Sequence, residues 1–92
     1  MQDPVLIIGA SGTIGSAIAR TLAEIGNRLI LHGRRETDAL RTLSEALDAP
    51  YHAADLTSET ATQEFFEVVG QENAHLSGIV FCAARPFPHK LA

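Results

Sequence analysis

A short apolar run, Val5-Leu6-Ile7-Ile8, breaks into a segment with glycines three residues apart: Gly9-Ala10-Ser11-Gly12-Thr13-Ile14-Gly15. The run is rich in β-branched residues and too short for a helix, which makes it a strand buried on both faces. Helical periodicity follows, so the glycines occupy a strand-to-helix turn. Gly9 lets the chain leave the strand at a backbone angle closed to other residues. Gly12, with no Cβ, lets a ligand approach the main chain. Gly15 lets the helix start pack closely on the strand. The N–H groups of a first helical turn have no partner in the helix ladder and sit at the positive end of its dipole, so they attract anions. A strand before, a helix after and a second strand ending about twenty residues on suit the pyrophosphate of a dinucleotide. The alternative is a tight structural turn with no ligand. A phosphate-binding P-loop is excluded, because no Gly-Lys-Ser/Thr follows the glycines.

The alternation continues along the chain. A helix is predicted from Gly12 to Ile25, with Ile14, Ala17, Ile18, Leu22 and Ile25 on its buried face and Gly26-Asn27 as its stop. Arg28 to His32 reads as the second strand and Thr37 to Leu47 as the second helix, with Leu40, Leu43 and Leu47 inward. Tyr51 to Ala54 is a short third strand. Thr57 or Ser58 caps a third helix that turns Ala61, Phe65, Val68 and Val69 to the sheet, and Gly70 loosens its end. Ile79 to Cys82 is the fourth strand. Such alternation implies an α/β fold: a Rossmann-like, three-layer parallel sheet of order 3-2-1-4, partial, with helices on both faces. The first two helices cover one face and the third the other. The ligand crevice then lies above the carboxyl ends of strands 1 and 4, beside Ala83-Ala84.

With 92 residues the chain is expected to form one domain, 1–92, and its 46% hydrophobic content is ample for a core. A chain this short buries only about 60–65% of its unfolded surface. The outer edge of strand 4 has only Phe87 and Leu91, in a Pro-containing tail, to cover it. The chain therefore reads as the front of a larger protein, or as a protomer whose strand-4 edge a homo-oligomer partner covers. A net charge of −4 argues against nucleic-acid or anionic-membrane binding. A single cysteine, Cys82, excludes an internal disulfide framework and fits a reducing compartment. Met1-Gln2-Asp3-Pro4 has no basic region and precedes only a short apolar run, neither signal peptide nor membrane span. A cytoplasmic location is expected. His32, His52, His75 and His89 show no metal-ligand spacing, and His32 reads as a strand-end residue with a satisfied ring.

Arg34 and Arg35 stand after the second strand, where an acidic residue would bond the adenosine ribose hydroxyls of NAD. Glu36 comes one or two places late. Guanidinium groups match phosphate oxygens in a bidentate way, so the pair favours the 2′-phosphate of NADP over NAD. Arg34 suits the phosphate, and Arg35 can lay its plane on adenine; the bland reading is surface arginines before a helix. Asp55 closes the third strand and can accept from the adenine amino group with Leu56 against the ring, or serve only as a turn residue.

Gly9-x-x-Gly12-x-x-Gly15, Gly33-Arg34-Arg35, Asp55-Leu56-Thr57 and the fourth strand with Ala83 together resemble the short-chain dehydrogenase/reductase family. The resemblance covers the cofactor-binding front of that family's domain. It implies that Gly9, Ser11, Gly12, Thr13, Ile14 and Gly15 cradle the pyrophosphate. It further implies Arg34 on the 2′-phosphate, Asp55 and Leu56 at adenine, and Cys82, Ala83 and Ala84 along the ribose. The glycine spacing is nearer the extended or atypical branch. Phe81-Cys82-Ala83-Ala84 stands where many members have Asn-Asn-Ala-Gly. The family's catalytic Tyr, with Lys four residues later, and its Ser have no match here. Tyr51 is followed at that distance by Asp55, and Lys90 has no such Tyr upstream. The expected function is the NADP(H)-binding front of a short-chain oxidoreductase, with no catalytic residue in this chain. Alternatives are a non-catalytic dinucleotide-binding or redox-sensing module or assembly subunit, and a fragment of an extended-type epimerase or dehydratase.

Overall fold

Alternation along the strands sorts the core into two halves. The computed structural model describes residues 3–82. In β1 (Val5–Ile8) Leu6 and Ile8 face one side of the sheet and Ile7 the other; in β2 (Leu29–Gly33) Ile30 joins the first side and Leu29 and Leu31 the second. The second side is covered by α1 (Thr13–Glu24) and α2 (Asp38–Leu47), through Ala19, Leu40 and Leu43. The first is covered by α3 (Glu59–Glu72), through Phe65 and Val69. β3 (Tyr51–Ala53) and β4 (Gly78–Phe81) complete a four-stranded sheet of order β3-β2-β1-β4, every pair parallel. This is the expected Rossmann-like arrangement.

Register brings the strand ends to one rim. Ile8 lies beside Phe81 and Gly33 beside Ala53, so the turns after all four strands open on the same side. Leu6, Ile7, Ile8, Ile30, Leu31 and Leu40 are fully buried, each contributing about 1.5–3 kcal/mol of transfer free energy. Truncating one to Ala costs roughly 2–5 kcal/mol.

Two details differ from the sequence expectation. The buried line of α1 is Gly15 and Ala19, flanked by half-buried Ile18, Leu22 and Ala23, whereas Ala17 is exposed and Ile14 and Ile25 are 60% and 70% exposed. The smallest residues win this face because the helix start lies against the backbone of the preceding turn, where a bulky residue cannot fit. Ile25 has already left the helix, and Gly26 turns the chain at φ 98°. In α3, Val68 is exposed and the helix continues past Gly70 to Glu72. A Cβ at Gly70 meets open space. Gly70→Ala is therefore expected to stabilise the fold by about 0.5–1 kcal/mol, measured by denaturant titration.

Among the described residues β4 pairs with β1 alone. Ile79 and Phe81, in register with Leu6 and Ile8, are exposed on the α3 side of the sheet. The expected tail contacts of Phe87 and Leu91 lie outside the described residues. No helix among those residues is long and apolar enough to cross a membrane.

Candidate functional site

The turn after β1 is shaped by what it must bond to. Gly9 has φ 81°, a left-handed angle that glycine adopts without strain. Its N–H donates to His32 Nδ1 at 3.1 Å, and the next amide, Ala10 N–H, donates to the His32 carbonyl at 2.7 Å. His32 Nε2 lies 2.8 Å from the Ala54 carbonyl oxygen. An amide N–H only donates and a carbonyl only accepts, so Nδ1 carries the lone pair and Nε2 the proton. The ring is 4% exposed, with Phe65 edge-on at 5.0 Å. Burial pushes its pKa below the ordinary 6.5 and outweighs the opposing bond to Ala54; nearby His52 adds to the lowering. Sequence reasoning placed His32 as a satisfied strand-end residue but missed these partners, which lie 23 positions earlier and 22 positions later in the chain.

Helix α1 begins directly over this turn. A Cβ on Gly15 would stand 2.1 Å from the Gly9 oxygen, so only glycine allows the approach. At Gly12, the N-cap, φ is −77° and ψ 172°, and a Cβ would meet only the Gly9 oxygen at 3.8 Å. The fold leaves Gly12 free to be something else; the space above it is what a side chain would fill. The first ladder bond runs from Ser16 N–H to Gly12 O. The amides of Thr13, Ile14 and Gly15 find no acceptor among the described residues, and no side chain caps the helix. The other two helices differ. Thr37 Oγ1 accepts from Leu40 N–H and Ser58 Oγ from Ala61 N–H, each at 3.1 Å, and both first turns hold an acidic residue, Asp38 and Glu59. The first turn of α1 has none. Its positive end is uncompensated. Ser11 is half-buried beside it, and Thr13 and Ile14 are exposed.

At the end of β2, Arg34 and Arg35 are exposed. Arg34 Nε lies 3.8 Å from Asp55 Oδ1, an exposed pair of small energetic worth. That same oxygen accepts from the Thr57 hydroxyl at 2.6 Å and the Thr57 N–H at 3.0 Å, so Asp55 does close a turn. Those bonds, hydroxyl first, hold its carboxyl below the usual range, and Arg34 and Arg35 add to the effect. Glu36, the late carboxylate after the arginines, accepts from Tyr51 Oη at 2.6 Å and Arg41 Nη1 at 2.8 Å, while Arg41 also reaches Asp38. Tyr51 and then Arg41 lower the Glu36 pKa, and Glu36 in turn raises that of Tyr51. That direction is opposite to the lowering a phenol needs to act as a general base. Gly33, which precedes the two arginines, also has a packing role: a Cβ there would lie 2.7 Å from Leu40 Cδ2.

Leu56 is half-buried against the Leu6, Ile8 and Phe65 side of the core. Cys82 donates its N–H to the Ile8 oxygen at 2.8 Å and is buried on the α1–α2 side. Ala83 and Ala84 lie outside the described residues. The glycine turn, the arginines and Asp55 thus share one rim.

The short chain dehydrogenase family matches residues 3–91 of this sequence. The chain belongs to that family. Among its relatives this short-chain dehydrogenase sequence is 37% identical over 83 residues to a phenolphthiocerol/phthiocerol polyketide synthase chain of Mycobacterium tuberculosis, covering 85% of this chain and 5% of that protein. It is 28% identical to the D-beta-hydroxybutyrate dehydrogenase of Rhizobium meliloti, covering 99% of this chain and 38% of the enzyme. The solved structure of a metagenomic short-chain oxidoreductase in complex with NADP superposes with TM-score 0.75 at 29% identity, over 84% of this chain and 36% of that one. The chain therefore spans well under half the length of these relatives.

Proposed function

We propose that this chain is the NADP(H)-binding front of a short-chain dehydrogenase-type oxidoreductase. One observation carries the proposal: three unpaired amides, of Thr13, Ile14 and Gly15, open an uncapped helix on the strand-end rim, with Gly12 leaving the space above them clear. A diphosphate fits that chemistry, with negative oxygens accepting from N–H groups that have no other acceptor among the described residues. Gly9, Ser11, Gly12, Thr13, Ile14 and Gly15 form the cradle. Arg34 takes the 2′-phosphate, and Arg35 lies against the adenine. Asp55 offers the adenine amino group its second oxygen, Leu56 supports the ring, and Cys82, Ala83 and Ala84 line the ribose. When bound, the nicotinamide supplies hydride chemistry. Residues of this chain bind and orient the nucleotide. A further segment of a longer protein, or a second copy, covers Ile79 and Phe81 on the open side of β4.

NADP over NAD is supported by the engagement of Glu36 with Tyr51 and Arg41, which leaves two arginines and no free carboxylate directly after β2. The NADP complex of the metagenomic relative agrees with it. Isothermal titration calorimetry is expected to find NADPH bound roughly tenfold more tightly than NADH, a difference of about 1.4 kcal/mol. Arg34→Ala should remove most of that gap and change NADH affinity less than about twofold. Equal wild-type affinities for the two nucleotides would contradict the assignment of the arginines. Carbonyl-dependent oxidation of NADPH by the full-length protein tests the oxidoreductase reading; NADPH binding without turnover would favour a non-catalytic dinucleotide-binding module.

A further inference from the structure

We propose that His32 is the positioning residue of the nucleotide seat: its neutral ring, held between the Gly9 amide and the Ala54 carbonyl, fixes the glycine turn, and protonation of that ring opens the seat and releases the nucleotide. This rests on the nucleotide reading above and adds what holds the seat in shape. Residue 32 takes two consecutive amides of the turn, Gly9 on Nδ1 and Ala10 on its carbonyl oxygen. The Gly9 oxygen is the surface on which Gly15 rests, so a displaced Gly9 displaces the start of α1. Through Nε2 the same ring holds Ala54, the residue before Asp55 and Leu56. One side chain therefore links the diphosphate side of the rim to its adenine side.

Protonation breaks this arrangement at a defined atom. A second ring proton must sit on Nδ1, where it would face the Gly9 N–H, a donor against a donor. The bond is lost, and the new charge sits on a ring that is only 4% exposed. Among the described residues no carboxylate bonds to the ring to offset the new charge. From β3 the ring faces His52, itself 3.1 Å from Glu72, and a second positive charge there adds repulsion. From α3 it meets the uncharged Phe65, with Glu64 further out on the hollow that Phe65 shares with His52 and Ala54. Beyond Ala54 lie Asp55 and Arg34, paired with each other, and β1 and its turn contribute no titratable group. Because the folded ring resists protonation, its stabilisation is complete above about pH 6.5 and declines as pH falls toward the folded-state value.

The test combines ring nitrogen NMR with calorimetry on the full chain. At pH 8 the His32 ring is expected as the neutral Nε2–H tautomer, with the Gly9 amide resonance moving as the ring titrates. Binding of NADH, which lacks the 2′-phosphate and its own titration, should weaken by up to about tenfold per pH unit below the ring pKa. His32→Leu should lose binding at every pH. His32→Asn, whose side-chain oxygen can replace Nδ1 as acceptor, should restore NADH binding and abolish the pH slope. An Nδ1–H tautomer, a Gly9 amide indifferent to the ring, or an unchanged slope in His32→Asn overturns the proposal. If His32→Leu does not fold, the wild-type ring titration and His32→Asn still decide. Absence of wild-type binding at pH 8, with the ring in the expected tautomer, instead overturns the nucleotide reading itself.

Discussion

Gly15→Ala is expected to lower the melting temperature by roughly 12–24 °C and to remove nucleotide binding. The added methyl group would stand 2.1 Å from the Gly9 oxygen and 3.0 Å from Ala10 Cα. Both are backbone atoms, so no rotamer change relieves the clash. Either α1 lifts from the sheet and uncovers Ala19 and its neighbours, or the turn moves and breaks the bonds of Gly9 and Ala10 to His32. Overpacking against a fixed backbone costs about 3 kcal/mol, at the upper end of such substitutions. For a chain of this size each kcal/mol is worth about 4–8 °C. That is a large part of a total stability on the order of 5 kcal/mol. Thermal unfolding followed by circular dichroism measures it, and a melting temperature within a few degrees of wild type would mean that helix and turn are not in contact.

Gly12→Ala should separate binding from folding. The backbone at Gly12 has angles open to any residue, and its Cβ would meet nothing closer than 3.8 Å. The melting temperature is therefore expected to stay within about 3 °C of wild type, a change below roughly 0.5 kcal/mol. NADPH affinity should fall about thirtyfold, near 2 kcal/mol, because the methyl group holds the diphosphate away from the first-turn amides and weakens charge-assisted bonds. Calorimetry on a variant with a verified melt gives the answer. The two glycines differ: the protein's own packing requires Gly15, whereas nothing in the fold requires Gly12.

Much of the architecture was legible because its signals are local. The apolar run Val5 to Ile8, the alternation of strands with helices and the stops at Gly26 and Pro50 all act within a few residues. The strand order follows from likeness to the first half of a doubly wound fold, and with that order right-handed crossovers assign the helices to faces. The buried face of α1 departs from the periodicity for a physical reason. Counting bulky residues selects Ile14 and Ile25, whereas the surface it meets admits only Gly15 and Ala19. Glycine carries no hydrophobic signal, so close packing is invisible to a periodicity argument. Asp55 closes a turn through one oxygen, as its place before Thr57 suggests, and this leaves its second oxygen open to the other reading, a contact with adenine. The engagement of Glu36 with Tyr51 and the partners of His32 were not legible at all. Both depend on register between strands distant in sequence, which no spacing encodes.

The absence of a side-chain cap at α1 also has an energetic meaning. A cap contributes about 1 kcal/mol, and α2 and α3 each have one. Leaving α1 without one gives up that stability and keeps three donors preorganised for an anion. The most direct test of the account follows these donors individually, in two-dimensional 15N–1H spectra of the full chain titrated with NADPH. The Thr13, Ile14 and Gly15 amide protons are expected to move downfield and become protected from exchange as the nucleotide saturates. Saturation with those three resonances unmoved, while amides elsewhere shift, would place the nucleotide at another site and contradict the account.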